Sequence, residues 1–371
     1  MILINPTFAE LAEQIKHQKK RIVVYGAGVI GQVTVSNFIK RYNLFDELIY
    51  FVDMDKQKQG QQIKIKDRSY KILSPDHLAT EKESIVLMIT NSKFFPVVEF
   101  LDGIEKLDKT TACIVPIVQI RETRLTEDVE LEKYNSEPLI PKTINYCWFG
   151  GKDKPDFLKK CIESWYSRCP DYVIREWNEQ NYDISRHAYT KEAYDASKYG
   201  FVTDVARLDI LYENGGFYFD TDVELLRSLE DFRYQKGFVA VEKWGNINSG
   251  GGCGFVKGHP VLEHLIDYRE KYHFVLSDGK YNIETNGLYE TKFFMEDGYK
   301  SDNTLQVIDD VTIYPSYVFH PYDYMSGEID IRHSTLSVHH FYGGWMEEND
   351  KLNREHTKQR YEQILRRMAN N

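Results

Sequence analysis

Residues 215–226 read GGFYFDTDVELL, and the end of that stretch decides how the chain is read. A glycine pair opens a short aromatic run, and the run ends in Asp220 and Asp222. Side chains two apart on a strand share a face, so a strand here sets the two carboxylates side by side. Carboxylates that close repel unless one takes a proton or a cation lies between them. Just upstream, FVTDVARLDILYENGG (201–216) has a helical pattern closed by Gly215, with Val205, Leu208 and Leu211 as its apolar face. Asp204 and Arg207 lie three apart on that helix and so share a face. A planar guanidinium beside two acids and a hard divalent cation suits a diphosphate, whose oxygens complete the cation's shell. The plainer alternative is a surface Asp-x-Asp beside a helix salt bridge; the constellation as a whole argues for the site.

The chain has 371 residues, a length typical of two domains. Its formal net charge of -10 provides no basic field for nucleic acid. Cys113, Cys147, Cys161, Cys169 and Cys253 form no CxxC pair, which points to free thiols in a reducing compartment. The N-terminus, MILINPTFAELAEQIKHQKK, lacks the apolar core and cleavage site of a signal peptide. No stretch approaches the roughly 20 apolar residues of a membrane span. The expectation is a cytoplasmic protein.

Alternating strand and helix patterns make both halves α/β. A Rossmann-like domain is expected over 1–120, a charged linker over 121–138 and a second α/β domain over 139–371. In the first, RIVVYGAGVIGQ gives a buried strand, a glycine turn and a helix, with Thr7 as a cap for an earlier helix over 7–19. Gly26, Gly28 and Gly31 match GxGxxG, and Asp53 ends the next strand 22 residues beyond Gly31. Such glycines allow a diphosphate to approach a helix N-terminus while the acid holds a ribose hydroxyl. The alternative is a turn that binds no nicotinamide, since about 120 residues are too few for two mononucleotide halves. YGAGVIG, FVDMD, SPDHL and IVP resemble the N-terminal domain of bacterial sugar acyltransferases and related polysaccharide enzymes, where the domain is a nucleotide-sugar-binding or accessory module. An NAD(P)-dependent oxidoreductase acting on a sugar nucleotide through this domain is the competing function; the sequence shows no Tyr-xxx-Lys pair near a suitable strand for it.

In the second half, IPKTINYCWFGG, SWYSRCPDYVIREWNEQN, VTDVARLDILYENGGFYFDTDVELL, GCGFVKGHPVL and HHFYGGWM together resemble glycosyltransferase family 32, from about 139 to 346. These are DXD-containing sugar transferases of yeast Golgi and bacterial capsule clusters, distantly similar to the large clostridial glucosylating toxins. The resemblance implies a GT-A fold and metal-dependent, retaining transfer of a sugar from a nucleotide donor. Carried over by position, Trp148 stacks on the donor base, and Asp204 and Arg207 contact the donor sugar and diphosphate. Tyr218 lies near the donor, and Asp220 and Asp222 hold Mn²⁺ or Mg²⁺. His339, His340 and Trp345 match a late block that closes over metal and diphosphate. Gly344 stands where the family often has Ser, which leaves the third protein ligand open, with His340 preferred. Asn248 in NINSGGG and Asn286 in IETNG are candidates for the sugar pocket, against the plainer turn chemistry of Asn beside Gly. A UDP-linked hexose is the expected donor, and a glycan or lipid-linked oligosaccharide of capsule or O-antigen assembly the expected acceptor. The basic C-terminal helix, with Leu352, Tyr361, Ile364, Leu365 and Met368, is expected to dock on the catalytic domain, with contact to a membrane surface as the alternative.

Overall fold

The computed structural model describes residues 1–343 and 348–370, the side chains of 348–357 excepted. By its internal contacts the chain forms two units: Met1–Thr126 with Lys300–Asp302 and His356–Asn371, and Glu127–Tyr299 with Asn303–Glu355.

The first unit holds strands β1 (Ile2–Ile4), β2 (Arg21–Tyr25), β3 (Leu48–Val52), β4 (Gln62–Ile65), β5 (Arg68–Leu73), β6 (Ile85–Ile89) and β7 (Thr111–Ile114). Its helices are α1 (Phe8–His17), α2 (Ser36–Tyr42), α3 (Phe94–Asp102) and α4 (Val115–Leu125). The strands order as β1-β7-β6-β2-β3-β5-β4, all parallel except the β4–β5 hairpin. Apolar runs such as IVLMI in β6 are buried throughout, as a sheet covered on both faces requires. Thr7 caps α1 through a capping box: its hydroxyl accepts from Glu10 N–H at 3.1 Å, and Glu10 accepts from Thr7 N–H at 2.7 Å. The chain crosses from β2 to β3 on one side and later to β6 on the other, so the glycine turn after β2 stands at a topological switch point. Residues 121–125, expected in the linker, instead close α4, whose face is already buried through Ile117, Val118 and Ile120.

The second unit holds β8 (Thr143–Cys147), β9 (Val173–Trp177), β10 (Gly216–Tyr218), β11 (Val223–Leu225), β12 (Gly237–Ala240), β13 (Cys253–Phe255), β14 (Gln306–Ile308), β15 (Val311–Tyr314) and β16 (Ser337–His339). Its helices are α5 (Asp156–Arg168), α6 (Ala188–Asp195), α7 (Tyr199–Asn214), α8 (Pro260–Arg269), α9 (Asn286–Glu296) and α10 (Ser316–Phe319). A mixed sheet runs β14-β15-β12-β13-β10-β8-β9, and β11 pairs with β16 in a separate antiparallel ribbon. Strand alternation builds two cores. Cys147, Tyr218 and Val239 pack with α6, α7 and α8 on one face, and Tyr146, Phe217 and Phe238 with α5 and α10 on the other. Asn145, fully buried, binds the carbonyls of Gly215 and Phe217 at 3.2 Å and accepts from the Trp177 indole at 3.0 Å. It thereby locks β8, β9 and the start of β10 in register.

The C-terminal helix α11 (Glu348–Ala369) corrects one expectation. Its described end belongs to the first unit, where Arg367 binds Asp102 at 2.7 Å and Arg360 pairs with Glu99. Tyr361, Ile364 and Met368 are buried, so the protein itself covers that apolar face; the side chain of Leu352 lies outside the described residues. Among the described residues no helix is long and apolar enough to cross a membrane.

Candidate active site

The aspartates converge by a route that strand alternation does not foresee. Strand β10 stops at Tyr218, and Asp220 and Asp222 sit in the turn that follows, closed by Val223 N–H to Asp220 C=O at 3.1 Å. The turn brings both acids to one side, where β16 delivers His339 opposite Val223. Ligand atoms of Asp220, Asp222 and His339 all lie within 4.8 Å of one another. The imidazole is His339, not His340. His340, the residue just past β16, lies against Glu224 at 3.0 Å instead. His339 approaches Asp222 at 3.3 Å through Nε2, while its Nδ1 is buried without a partner.

The electrostatics set the two acids apart. Burial raises the Asp220 carboxyl above its ordinary range; Arg207 opposes that shift and Asp222 adds to it. Burial opposes ionisation of Asp222 as well. There the His339 charge, its hydrogen bond and the Tyr342 N–H at 2.7 Å win, and the carboxyl is held below its ordinary range. Burial would lower His339, but Asp222 and Asp220 raise it. Two carboxylates and an imidazole at this spacing are a donor set that fits a hard divalent cation.

Helix α7 brings Arg207 to the same point. Its Nε donates to Thr203 C=O at 2.9 Å, and its Nη2 donates to the Thr203 hydroxyl and to Asp204, each at 3.1 Å. Nη2 also lies 3.5 Å from Asp220. A guanidinium only 3 % exposed is thus fixed against a carboxylate at a strand end. Burial lifts Asp204 to about 7, against the pull of Arg207 and Arg269. Tyr218, expected against the donor, is fully buried between neighbouring strands; its hydroxyl donates to Asp220 at 3.2 Å, and Arg207 lies over its ring at 5.0 Å. It supports the two charged groups from beneath.

Asn248 and Asn286 join the site through the turn Ser249–Gly251. Asn248 accepts from Gly250 N–H at 3.0 Å, which is the turn chemistry of the plainer reading, and Gly250 C=O accepts from Asp220 N–H at 2.8 Å. A Cβ on Gly250 would lie 2.2 Å from Asp220 Oδ2 and 2.4 Å from Arg207 Nη1, so any larger residue there displaces one of the two side chains. Asn286 donates to Glu290 at 2.6 Å, and its own oxygen is buried without a partner. Glu290, unforeseen from the sequence, holds the same turn: it accepts from Ser249 N–H at 2.8 Å and from the Ser249 hydroxyl. A lone Glu in a helix gives no signal of this.

Trp148 follows β8 and lines a cavity of about 550 Å³ between the ends of β8 and β9 and the start of α5. Its indole donates to Lys152 C=O at 2.5 Å, and Lys154 lies 5.3 Å from its ring. Trp345 and Gly344 lie outside the described residues.

In the first unit Gly26, Gly28 and Gly31 lie in the turn after β2, and Asp53, just past β3, reaches that turn. Asp53 accepts from Ala27 N–H at 2.8 Å and from Asp55 N–H at 2.9 Å, with Lys58 at 3.7 Å. A Cβ on Gly31 would lie 2.2 Å from Gly26 C=O. Both carboxylate oxygens already serve the chain's own backbone.

Residues 155–239 match the family described as the glycosyltransferase sugar-binding region containing DXD motif. Inositol phosphoceramide mannosyltransferase 3 of Schizosaccharomyces pombe is 29% identical over 151 residues, covering 38% of this chain and 41% of that protein. Subversion of eukaryotic traffic protein A of Legionella pneumophila is 26% identical over 224 residues, covering 51% of this chain and 33% of that protein. The chain thus spans 41% or less of the length of these relatives. Among solved structures, PaToxG glycosyltransferase aligns over 49% of this chain and 76% of its own at 14% identity, with a TM-score of 0.34.

Proposed function

We propose that the chain is a divalent-cation-dependent, retaining glycosyltransferase that moves a hexose from a nucleoside diphosphate, UDP, to a glycan or lipid-linked acceptor. The observation that carries this is the convergence of Asp220, Asp222 and His339 within 4.8 Å, with Arg207 held 3.5 Å from Asp220. The sugar-binding match over 155–239, which contains both aspartates, supports the same chemistry. Mn²⁺ or Mg²⁺ held by Asp220, Asp222 and His339 would supply positive charge for the leaving diphosphate. Arg207 supplies a second, fixed positive charge beside it. Trp148 offers the base a ring at the wall of the 550 Å³ cavity. The acceptor oxygen forms a bond to the sugar's C1 on the face the diphosphate leaves; the C1–O bond to the diphosphate breaks, and the acceptor's proton passes to a diphosphate oxygen. Relatives named for transfer to inositol phosphoceramide favour a lipid-linked acceptor. A place in capsule or O-antigen assembly, at the cytoplasmic face of a membrane, agrees with the five buried free thiols.

The test is a thermal-shift panel of UDP, GDP, CMP, NAD and NADP, each with and without Mn²⁺. A ligand that binds only the folded state raises its melting temperature by mass action. The expected result is a Mn²⁺-dependent shift with UDP that Asp222→Ala abolishes. A metal-independent shift with NAD or NADP, untouched by that change, would sink the reading and move the chemistry to the first unit.

A further inference from the structure

Asp220 stands past the end of its strand, so the sheet alone does not place it. The turn Ser249–Gly251 does. Gly250 C=O accepts from Asp220 N–H at 2.8 Å, and the Gly250 backbone packs directly on the Asp220 carboxylate and the Arg207 guanidinium. Within the turn, Asn248 Oδ1 accepts from Gly250 N–H at 3.0 Å, and Ser249 C=O accepts from Gly252 N–H at 3.3 Å. Gly250, Gly251 and Gly252 follow one another, and such a run leaves the backbone free to take other shapes. A metal ligand that leans on this loop needs the loop held from outside.

Helix α9 holds it. Gly287, Glu290 and Thr291 lie three and four apart on α9 and so share one face. At Gly287 the helix comes so near the loop that a Cβ would lie 3.1 Å from Ile247 C=O. The Thr291 hydroxyl accepts from Ile247 N–H at 2.8 Å. Glu290, only 1% exposed, grips Ser249 with both oxygens. One accepts from Ser249 N–H at 2.8 Å; the other accepts from the Ser249 hydroxyl and from the Asn286 amide, the latter at 2.6 Å. Burying a carboxylate is costly, and here the donors of Ser249 and Asn286 offset that cost. The face of α9 thus fastens residues 247 to 249, and the next residue of the loop touches the metal ligand and the arginine.

We infer that Glu290 is a positioning residue for the cation site: through Ser249 and Gly250 it fixes where Asp220 and Arg207 stand, and so sets the affinity for the divalent cation. The inference rests on the transferase reading above.

The probe is Mn²⁺ alone, its free concentration followed by electron paramagnetic resonance at a temperature where every variant is folded. Glu290→Met keeps the length of the side chain and removes both acceptors; loss of such outer support is expected to weaken Mn²⁺ binding about tenfold. Glu290→Gln keeps an acceptor for Ser249 N–H, and its NH₂ can donate to the Asn286 oxygen once that amide turns over, so affinity within about threefold of wild type is expected. Where Glu290→Met fails to fold, Glu290→Asp draws the carboxylate back from Ser249 and is expected to lose affinity in the same sense. In donor hydrolysis by Glu290→Met, the Mn²⁺ concentration giving half-maximal rate should rise by the same factor, and excess Mn²⁺ should recover part of the rate. Mn²⁺ affinity within about twofold of wild type in Glu290→Met, or in Glu290→Asp where that variant stands in, overturns the inference. So does a loss as large in Glu290→Gln as in Glu290→Met, because the charge and not the hold on Ser249 would then be what matters. A wild type that binds Mn²⁺ with this dependence on Glu290 yet neither binds nor hydrolyses any nucleotide donor overturns the transferase reading instead. Mn²⁺ binding that Asp222→Ala leaves unchanged overturns both.

Discussion

Asp53 and Asp222 have side chains equally buried, each 13% exposed, and each stands beside a glycine-rich turn near the end of a parallel strand. Their surroundings make them opposites. Asp53 accepts two backbone N–H groups and has Lys58 nearby. Asp222 accepts one, from Tyr342, and otherwise shares a small volume with Asp220 and His339. Around it Asp204, Asp220, Glu242 and Glu290 are all pushed upward by burial, with Arg207 the fixed cation among them. A carboxylate that the fold satisfies is architecture; a carboxylate that the fold leaves in excess negative charge awaits a ligand. The same sequence signal, glycines and a nearby acid, thus accompanies a carboxylate bound to its own backbone in one unit and a carboxylate set in a cluster of acids in the other.

The sharpest way to break that contrast is Gly250→Ala. The added methyl would lie 2.2 Å from Asp220 and 2.4 Å from Arg207, so one of them must move. A displacement of about 1 Å at reacting groups typically costs about 100-fold in rate. Donor hydrolysis and transfer should fall by that order, while circular dichroism and melting stay near wild type. Activity within twofold of wild type would mean that the turn does not set the position of Asp220 or Arg207.

The excess of buried acid should also appear in pH. Asp204 has a folded pKa of about 7 against an ordinary 3.8, burial being the cause. Its neutral form is the favoured one. Its contribution to stability is therefore fully present below about pH 4, falls as pH rises toward 7, and is constant above. Each tenfold difference in proton affinity between the folded and unfolded chain is worth about 1.4 kcal/mol. Asp220, Glu242 and Glu290 act in the same sense and Asp222 in the opposite one, so only a difference isolates Asp204. The melting temperature of Asp204→Asn minus that of wild type should rise between pH 4 and 7 and then level off. A flat difference would show that Asp204 stays ionised throughout, paired with Arg207.

Much of this was readable in the chain because local rules suffice for it. The cap at Thr7, the strands on either side of the glycine turn and helix α7 carrying Asp204 with Arg207 all follow from local pattern. What could not be read was non-local. The choice of His339 over His340 depends on the register of β16 against β11, set by residues more than a hundred positions apart. Glu290 acts through Ser249, 41 residues away. Tyr218 is adjacent to the motif in sequence, yet the sheet takes its ring into the core. The alternation rule sets Asp220 and Asp222 side by side on a strand; the strand ends two residues earlier, and a turn brings the two together instead.

Asp53→Ala gives the smallest expected effect and the cleanest test of the other half of the comparison. The variant leaves the N–H groups of Ala27 and Asp55 without their acceptor. Losing the partner of a buried donor costs about 1–3 kcal/mol, and the Asp55 N–H, which can turn to water, adds little. A lower melting temperature, by a few degrees for a unit of this size, is therefore expected. Thermal shifts with Mn²⁺ and UDP should be those of wild type, because the carboxylate serves its own backbone. If wild type instead shows a shift with NAD or NADP that Asp53→Ala removes, the comparison collapses: the acid at the switch point would then be held ready for a ribose, and both units would be ligand sites.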